Sequence, residues 1–208
     1  MQLPFTVEQF FDVFGHYNTD LPYAWLVLSI LAVAGAVSAF IGYGRVPMVV
    51  LSFLWIWSGA VYQIGYFSGI NSLANVFGGA FILQGVLFLI AAARGASLSA
   101  VPFAGWRIYI GAVFIVFALF VYPGLGTIFG HSFPRTPTFG HPCPLTIFTF
   151  GLLLWIRGSV PKYLVVIPLL WSLVGTSASV LFGVWEDISL LVAGIVSASL
   201  LLWPRNRA

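Results

Sequence analysis

The feature that most constrains this chain is where its charges fall. From Tyr23 onward, apolar runs follow one another, and the charged side chains sit in the short breaks between them. A helix of about 20 apolar residues crosses the ~30 Å hydrocarbon core of a bilayer, and several of the runs reach that length. Only 6% of the residues are charged and 61% are hydrophobic. A soluble domain carries about 25% charged residues, so this chain has too little polar surface to face water. Strands with open edges leave backbone groups unpaired in lipid, so the runs read as helices. Breakers divide them into seven predicted transmembrane helices, at about 22–42, 47–67, 76–93, 107–129, 144–157, 163–182 and 188–203. The expectation is an all-α membrane protein, a single bundle over 1–208 with no soluble domain.

With that count the charges segregate. Arg45, Arg94, Arg107, Arg157, Lys162, Arg205 and Arg207 fall on one face. Arg135 and all the acids, Glu8, Asp12, Asp20, Glu186 and Asp187, fall on the other. Basic loops mark the cytoplasmic side, which puts the N-terminus outside and the C-terminus in the cytoplasm. The net charge of +3 then reflects topology and does not imply nucleic acid as a partner. The first residues are acidic and lack a basic n-region, which reads as no cleavable signal. The lone cysteine makes no internal disulfide.

Residues 5–18, FTVEQFFDVFGHYN, are amphipathic. Val7, Phe10, Phe11, Phe14 and Tyr17 share one side of a helix, and Glu8, Asp12 and His16 recur on the other. The pattern predicts an interfacial helix, an anchor or lid on the bundle. A metal or proton role for the three polar residues is the alternative.

Two stretches align without gaps, GRVPMVVLSFLWIWSG from Gly44 and GSVPKYLVVIPLLWSL from Gly158. Val46 and Pro47 meet Val160 and Pro161, Trp57 and Ser58 meet Trp171 and Ser172, and Gly69 meets Gly183. The register predicts a duplication of three spans, one linker span and three spans, with both halves parallel. Parallel repeats occur in transporters whose substrate sits between the halves, an analogy of fold alone.

The stretch TFGHPCPLTIFTFG, residues 138–151, gathers prolines, His141 and Cys143. Proline is welcome in a first helical turn, so Pro144 is expected to open a short span with Cys143 near its N-cap. Fourteen residues make only about 21 Å of helix, so the preceding link is expected to fold down as a plug or vestibule wall. Two readings follow for the site. A thiol at a helix N-terminus beside Arg135 or a histidine would have a lowered pKa, and Cys143, His131 and His141 would form a soft-metal site. The other reading is structural, with Cys143 a small buried group.

Gln63 and Gln84 are placed mid-membrane, with Tyr62 and Tyr66 near the former. Buried amides either join helices or line a polar path, to which Trp171 would belong. Glu186 and Asp187 are expected to cap the last span and to pair with Arg135 across the outer face. No charge lies at a span centre, where ion-coupled transport usually needs one.

The stretches GHSFPRTPTFGHPCPLTIFTFGLLL and IPLLWSLVGTSASVLFGVWED, with LPFTVEQFFDVFGHYN, resemble a bacterial family of multi-pass membrane proteins. It is catalogued as domain of unknown function six-zero-six-four. Gly130, His131, Pro134, Phe139, Gly140, Pro142, Cys143, Pro144, Thr149, Glu186 and Asp187 fall in its motifs. The resemblance implies a bacterial inner-membrane setting and carries no activity. Three functions are expected from these residues: a small-solute transporter-like or permeation protein first, a non-catalytic accessory subunit second, and a soft-metal or redox protein third. No enzymatic constellation is visible, no resident cofactor is expected beyond that metal, and the oligomeric state is not legible.

Overall fold

A computed structural model describes residues 5–95, 105–155 and 160–202. Helix α1 (Val7–Asp20) opens with a capping box, in which Gln9 N–H donates to Thr6 Oγ1 at 3.2 Å and Thr6 N–H to Gln9 Oε1 at 2.8 Å. The chain breaks at Leu21–Tyr23, around Pro22, and α2 (Ala24–Phe40) leaves at 82° to α1. Helix α3 (Arg45–Trp57) runs on as a π-helix through Ser58–Tyr66, and α4 (Ala74–Ala93) returns beside it. Helix α5 (Trp106–Val116) widens to a π-turn at Phe117–Val121 before α6 (Tyr122–Ile128). Pro123, in the first turn of α6, has no N–H for the carbonyl four residues back, and the wider turn absorbs that loss. Helices α7 (Pro142–Leu154), α8 (Tyr163–Phe182) and α9 (Ile188–Leu202) complete the fold. No strand forms among the described residues.

Five helical stretches are long and apolar enough to cross a membrane, or six if the bent α1–α2 pair counts as one. They include the expected spans at 47–67, 76–93, 107–129, 163–182 and 188–203. The expected spans at 22–42 and 144–157 are the two that fall short, and residues 156 and 157 of the latter lie outside the described residues. Helix α2 has 17 residues because the chain turns at Pro22, and α7 has 13. Helix α7 also starts earlier than expected. His141 is its N-cap and Pro142 its first residue, so Cys143 and Pro144 both lie inside the first turn.

Helix α7 is the axis of the fold. Every residue from Pro144 to Leu154 is buried, and α3, α5, α8 and α9 pack around it. A helix that is apolar all round belongs in an interior. Helix α5 reaches it where glycines let the backbones touch. A Cβ on Gly111 would stand 2.7 Å from the Gly151 carbonyl oxygen. The surrounding helices keep large apolar side chains on their outer sides, such as Val76, Phe120 and Val180 at 67%, 67% and 79% exposure.

Pro168 lies inside α8 and cannot donate to the carbonyl of Leu164, its partner in a regular helix. Gln84 on α4 fills the gap, with Nε2 donating to Leu164 O at 3.2 Å. The two stretches aligned in the sequence differ here. Ser58–Tyr66 is π-helical, whereas α8 is α-helical throughout.

Candidate functional site

The π-helical turn of α3 places Tyr62 and Gln63 on the inward side, both buried. Opposite them, the link 129–141 enters the bundle and delivers His141 and Cys143 at the start of α7. Helix α1 lies across the top. Between these elements, α8 and the turn before α9 is a cavity of about 260 Å³, lined by Gln63, His141, Cys143, Trp171 and Asp187 among aromatic side chains. Two groups of residues that the sequence set apart, Tyr62, Gln63 and Trp171 in one and His141, Cys143 and Asp187 in the other, therefore share one chamber.

Its roof is aromatic. Phe10 of α1 stacks on Phe182 of α8 with centroids 4.5 Å apart, and Phe5 stacks on Phe182 at 5.2 Å. The roof is tied to the link by Asn18, whose Nδ2 donates to Pro134 O at 2.7 Å and Thr136 O at 2.9 Å. Asn18 Oδ1 accepts from Thr138 Oγ1 at 3.0 Å. On the outside, Arg135 bonds Asp12 at 2.9 Å across a half-exposed pair. The expected pairing of Arg135 with Glu186 and Asp187 is thus not made, because α1 offers a nearer acid.

His141 stands edge-on to Phe14, Tyr17 and Tyr62, with centroids 5.0, 4.7 and 4.6 Å away. Its Nδ1 is occupied by Thr138, with the backbone N at 3.0 Å and the carbonyl oxygen at 2.9 Å. Its Nε2 has no partner. Burial lowers its pKa to about 4, so the ring is neutral at pH 7. Whichever ring nitrogen carries the proton, Nε2 remains one unused polar atom.

Asp187 lies in a short 3₁₀ turn, Trp185–Asp187, and is buried. Its carboxylate accepts from Tyr122 Oη at 2.5 Å. The Cys143 thiol lies near this carboxylate and near the Trp171 indole, whose N–H has no hydrogen-bond partner. The reading of Cys143 as an activated thiolate needs a neighbouring cation, but its neighbour is an acid. Glu186 is buried beside the chamber, and neither of its carboxylate oxygens has a hydrogen-bond partner. Glu186 and Asp187 stand in the turn directly before α9, both buried. Gln63 is fully buried at the wall, with both its Nε2 and Oε1 unpartnered.

The remaining expected residues lie elsewhere. Tyr66 bonds the exposed Asp20 at 3.3 Å. Gln84 serves the α4–α8 seam and lines no part of the chamber. Gln63 and Gln84 do not mark one path, since Gln63 is only about two turns from the end of its helical stretch at Gly69. His131 stacks flat on Phe11 at 4.0 Å and reaches Gly183 O at 3.3 Å. No group of three or more His, Cys, Asp or Glu side chains gathers to hold a metal among the described residues. His131, His141 and Cys143 are thus not assembled as a ligand set, nor are Glu8, Asp12 and His16.

Asn18, Tyr122 and Thr138 organise the chamber, and the sequence reading passed over them. Asn18 had a signal, because it falls four residues after Phe14 and seven after Phe11, on the apolar stripe of α1.

No curated protein and no solved structure matches the chain. A family model matches residues 7–208, almost the whole length. The chain belongs to that family, the family of unknown function DUF6064.

Proposed function

We propose that this is an integral membrane protein of seven spans that admits a small solute to the chamber under α1, as the binding step of a transporter-like function. Helices α2 and α7 complete the count of seven. The N-terminus lies outside, the C-terminus lies in the cytoplasm, and the setting is a bacterial inner membrane. The segregation of basic residues supports that orientation.

The observation that carries the reading is Gln63. A buried amide with neither donor nor acceptor used costs about 1–3 kcal/mol per unmet group, and native interiors satisfy nearly all such groups. Gln63 leaves both open at the wall of a chamber large enough for a guest. A cavity of about 150 Å³ accepts benzene, and this one is larger. A few convergent polar atoms on an apolar wall are what fix a small ligand. Gln63 and His141 Nε2 supply them.

Below the chamber the polar groups of α7 close on their own helix. Thr146 and Thr149 hydroxyls donate to Pro142 O and Leu145 O at 2.7 and 2.8 Å. Onward movement of a solute therefore requires helices to rearrange, which favours a carrier over an open pore. The π-turns of α3 and α5 are the places where helical geometry is least regular.

Purified protein in nanodiscs tests the reading with three solutes of equal size: benzyl alcohol, benzylammonium and benzoate. At least one binds saturably, and the folded Gln63→Leu variant loses that binding. Absence of saturable binding for all three contradicts the reading. The topology is tested separately. A cysteine at Ser132 is labelled in intact cells by an impermeant maleimide, and one at Gly95 only after lysis. The reverse pattern overturns the orientation.

A further inference from the structure

We propose that the solute admitted to this chamber is a small organic ammonium ion. The inference rests on the chamber being a solute site, and it adds the sign of the guest's charge. Among the described residues, Asp187 is the one acid on the wall, and no lysine or arginine lines it. A second buried acid, Glu186, adjoins it with both carboxylate oxygens unpartnered. Arginine does approach this end of the molecule, but Arg135 is held outside by Asp12 at 2.9 Å and by the Glu8 carbonyl at 3.4 Å.

Glu186 has His131 as a basic neighbour, whereas Asp187 faces the chamber with no lysine or arginine beside it among the lining residues, and a buried acid so placed is costly. That cost is offset when a cation arrives. Tyr122 supplies a hydrogen to Asp187 and brings no positive charge. The rest of the wall suits the same guest. Phe10, Phe14, Tyr62 and Trp171 surround the space, and aromatic rings attract ammonium groups, the more strongly when water is excluded. Gln63 Oε1 is a free acceptor for an ammonium N–H. A carboxylate or phosphate guest would instead meet Asp187 with no cation to receive it.

The three solutes named above separate the charge classes at constant size. Binding is measured by titration calorimetry at pH 7 on nanodisc-embedded protein. The expected order is benzylammonium at least tenfold tighter than benzyl alcohol, with benzoate undetectable. Asp187→Asn keeps an acceptor for Tyr122 and is expected to reduce the tenfold preference to less than threefold. Benzyl alcohol binding as tightly as benzylammonium would overturn the charge assignment and leave the solute site standing, as would a preference for benzoate. No binding by any of the three would overturn the site itself. Should Asp187→Asn fail to fold, the order measured on the unaltered protein decides the question alone. A folded Asp187→Asn that retains the full preference would overturn the role of Asp187.

Discussion

Two glutamines lie fully buried in adjacent helical stretches, and they do opposite things. Gln84 repairs a defect. Pro168 leaves the Leu164 carbonyl without its helical donor, and Gln84 Nε2 supplies one at 3.2 Å. Gln63 repairs nothing, and both of its amide atoms are unused at the wall of a chamber. The first is a polar residue that the fold requires. The second is one that the fold carries at a loss, and local losses of that kind concentrate where function is located. The same residue type in a helix apolar enough to cross a membrane therefore has two readings, and only the partner atom separates them.

The sharpest contrast between the two regions is their response to pH. The chamber holds His141, whose pKa is lowered from 6.5 to about 4 by burial. The unfolded chain takes up a proton on this residue as pH falls through 6.5, while the folded chain resists until about 4. The contribution of His141 to stability is therefore intact above pH 6.5 and is lost toward pH 4, by on the order of 3 kcal/mol over the window, and it is read as the difference between the unaltered protein and a variant at this one position. His141→Asn retains an acceptor for the Thr138 N–H and should flatten this decline in denaturant melts at pH 7.5 and 5. The effect of Gln84→Leu should be the same at both pH values.

Detaching the roof is the next largest effect. Asn18→Ala strands the carbonyls of Pro134 and Thr136, while the Thr138 hydroxyl keeps His141 Nδ1 at 3.2 Å, at a cost of about 2 kcal/mol. Hydrogen exchange should rise across 131–141 and stay unchanged in α4. Equal protection in both proteins would break the link between α1 and the chamber. Gln84→Leu should cost only about 1 kcal/mol, since Gln84 Oε1 is itself unpaired. The diagnostic is a double-mutant cycle. In a Pro168→Ala background, residue 168 regains its N–H, and the cost of Gln84→Leu should vanish. A cost that persists would remove the repair account.

Much of the helical framework was legible because an apolar run of span length admits few other readings, and the runs from Arg45 to Gly69 and from Tyr163 to Phe182 read directly. The amphipathic pattern of residues 5–18 likewise marked α1 as a helix packed through its phenylalanines. The chamber was legible only in halves. Gln63 and His141 are far apart in the chain, and nothing local shows that the entry to α7 folds in beneath α1. The π-turn that aims Tyr62 and Gln63 inward leaves no hydrophobic signature that distinguishes it from an α-helix. Arg135 was matched with Glu186 and Asp187 because all three read to one face. Which acid it meets depends on how α1 docks, and Asn18, the residue that docks it, looked like one more polar residue at a helix end.

The most direct test of the account is the ligand-free stability of Gln63→Leu beside the unaltered protein, with solute binding measured on the same samples. The account predicts that the variant is more stable, by about 1–3 kcal/mol, and no longer binds. A variant that is destabilised would show that Gln63 has a structural partner after all. A variant that is stabilised and still binds would show that the chamber's solute does not use it.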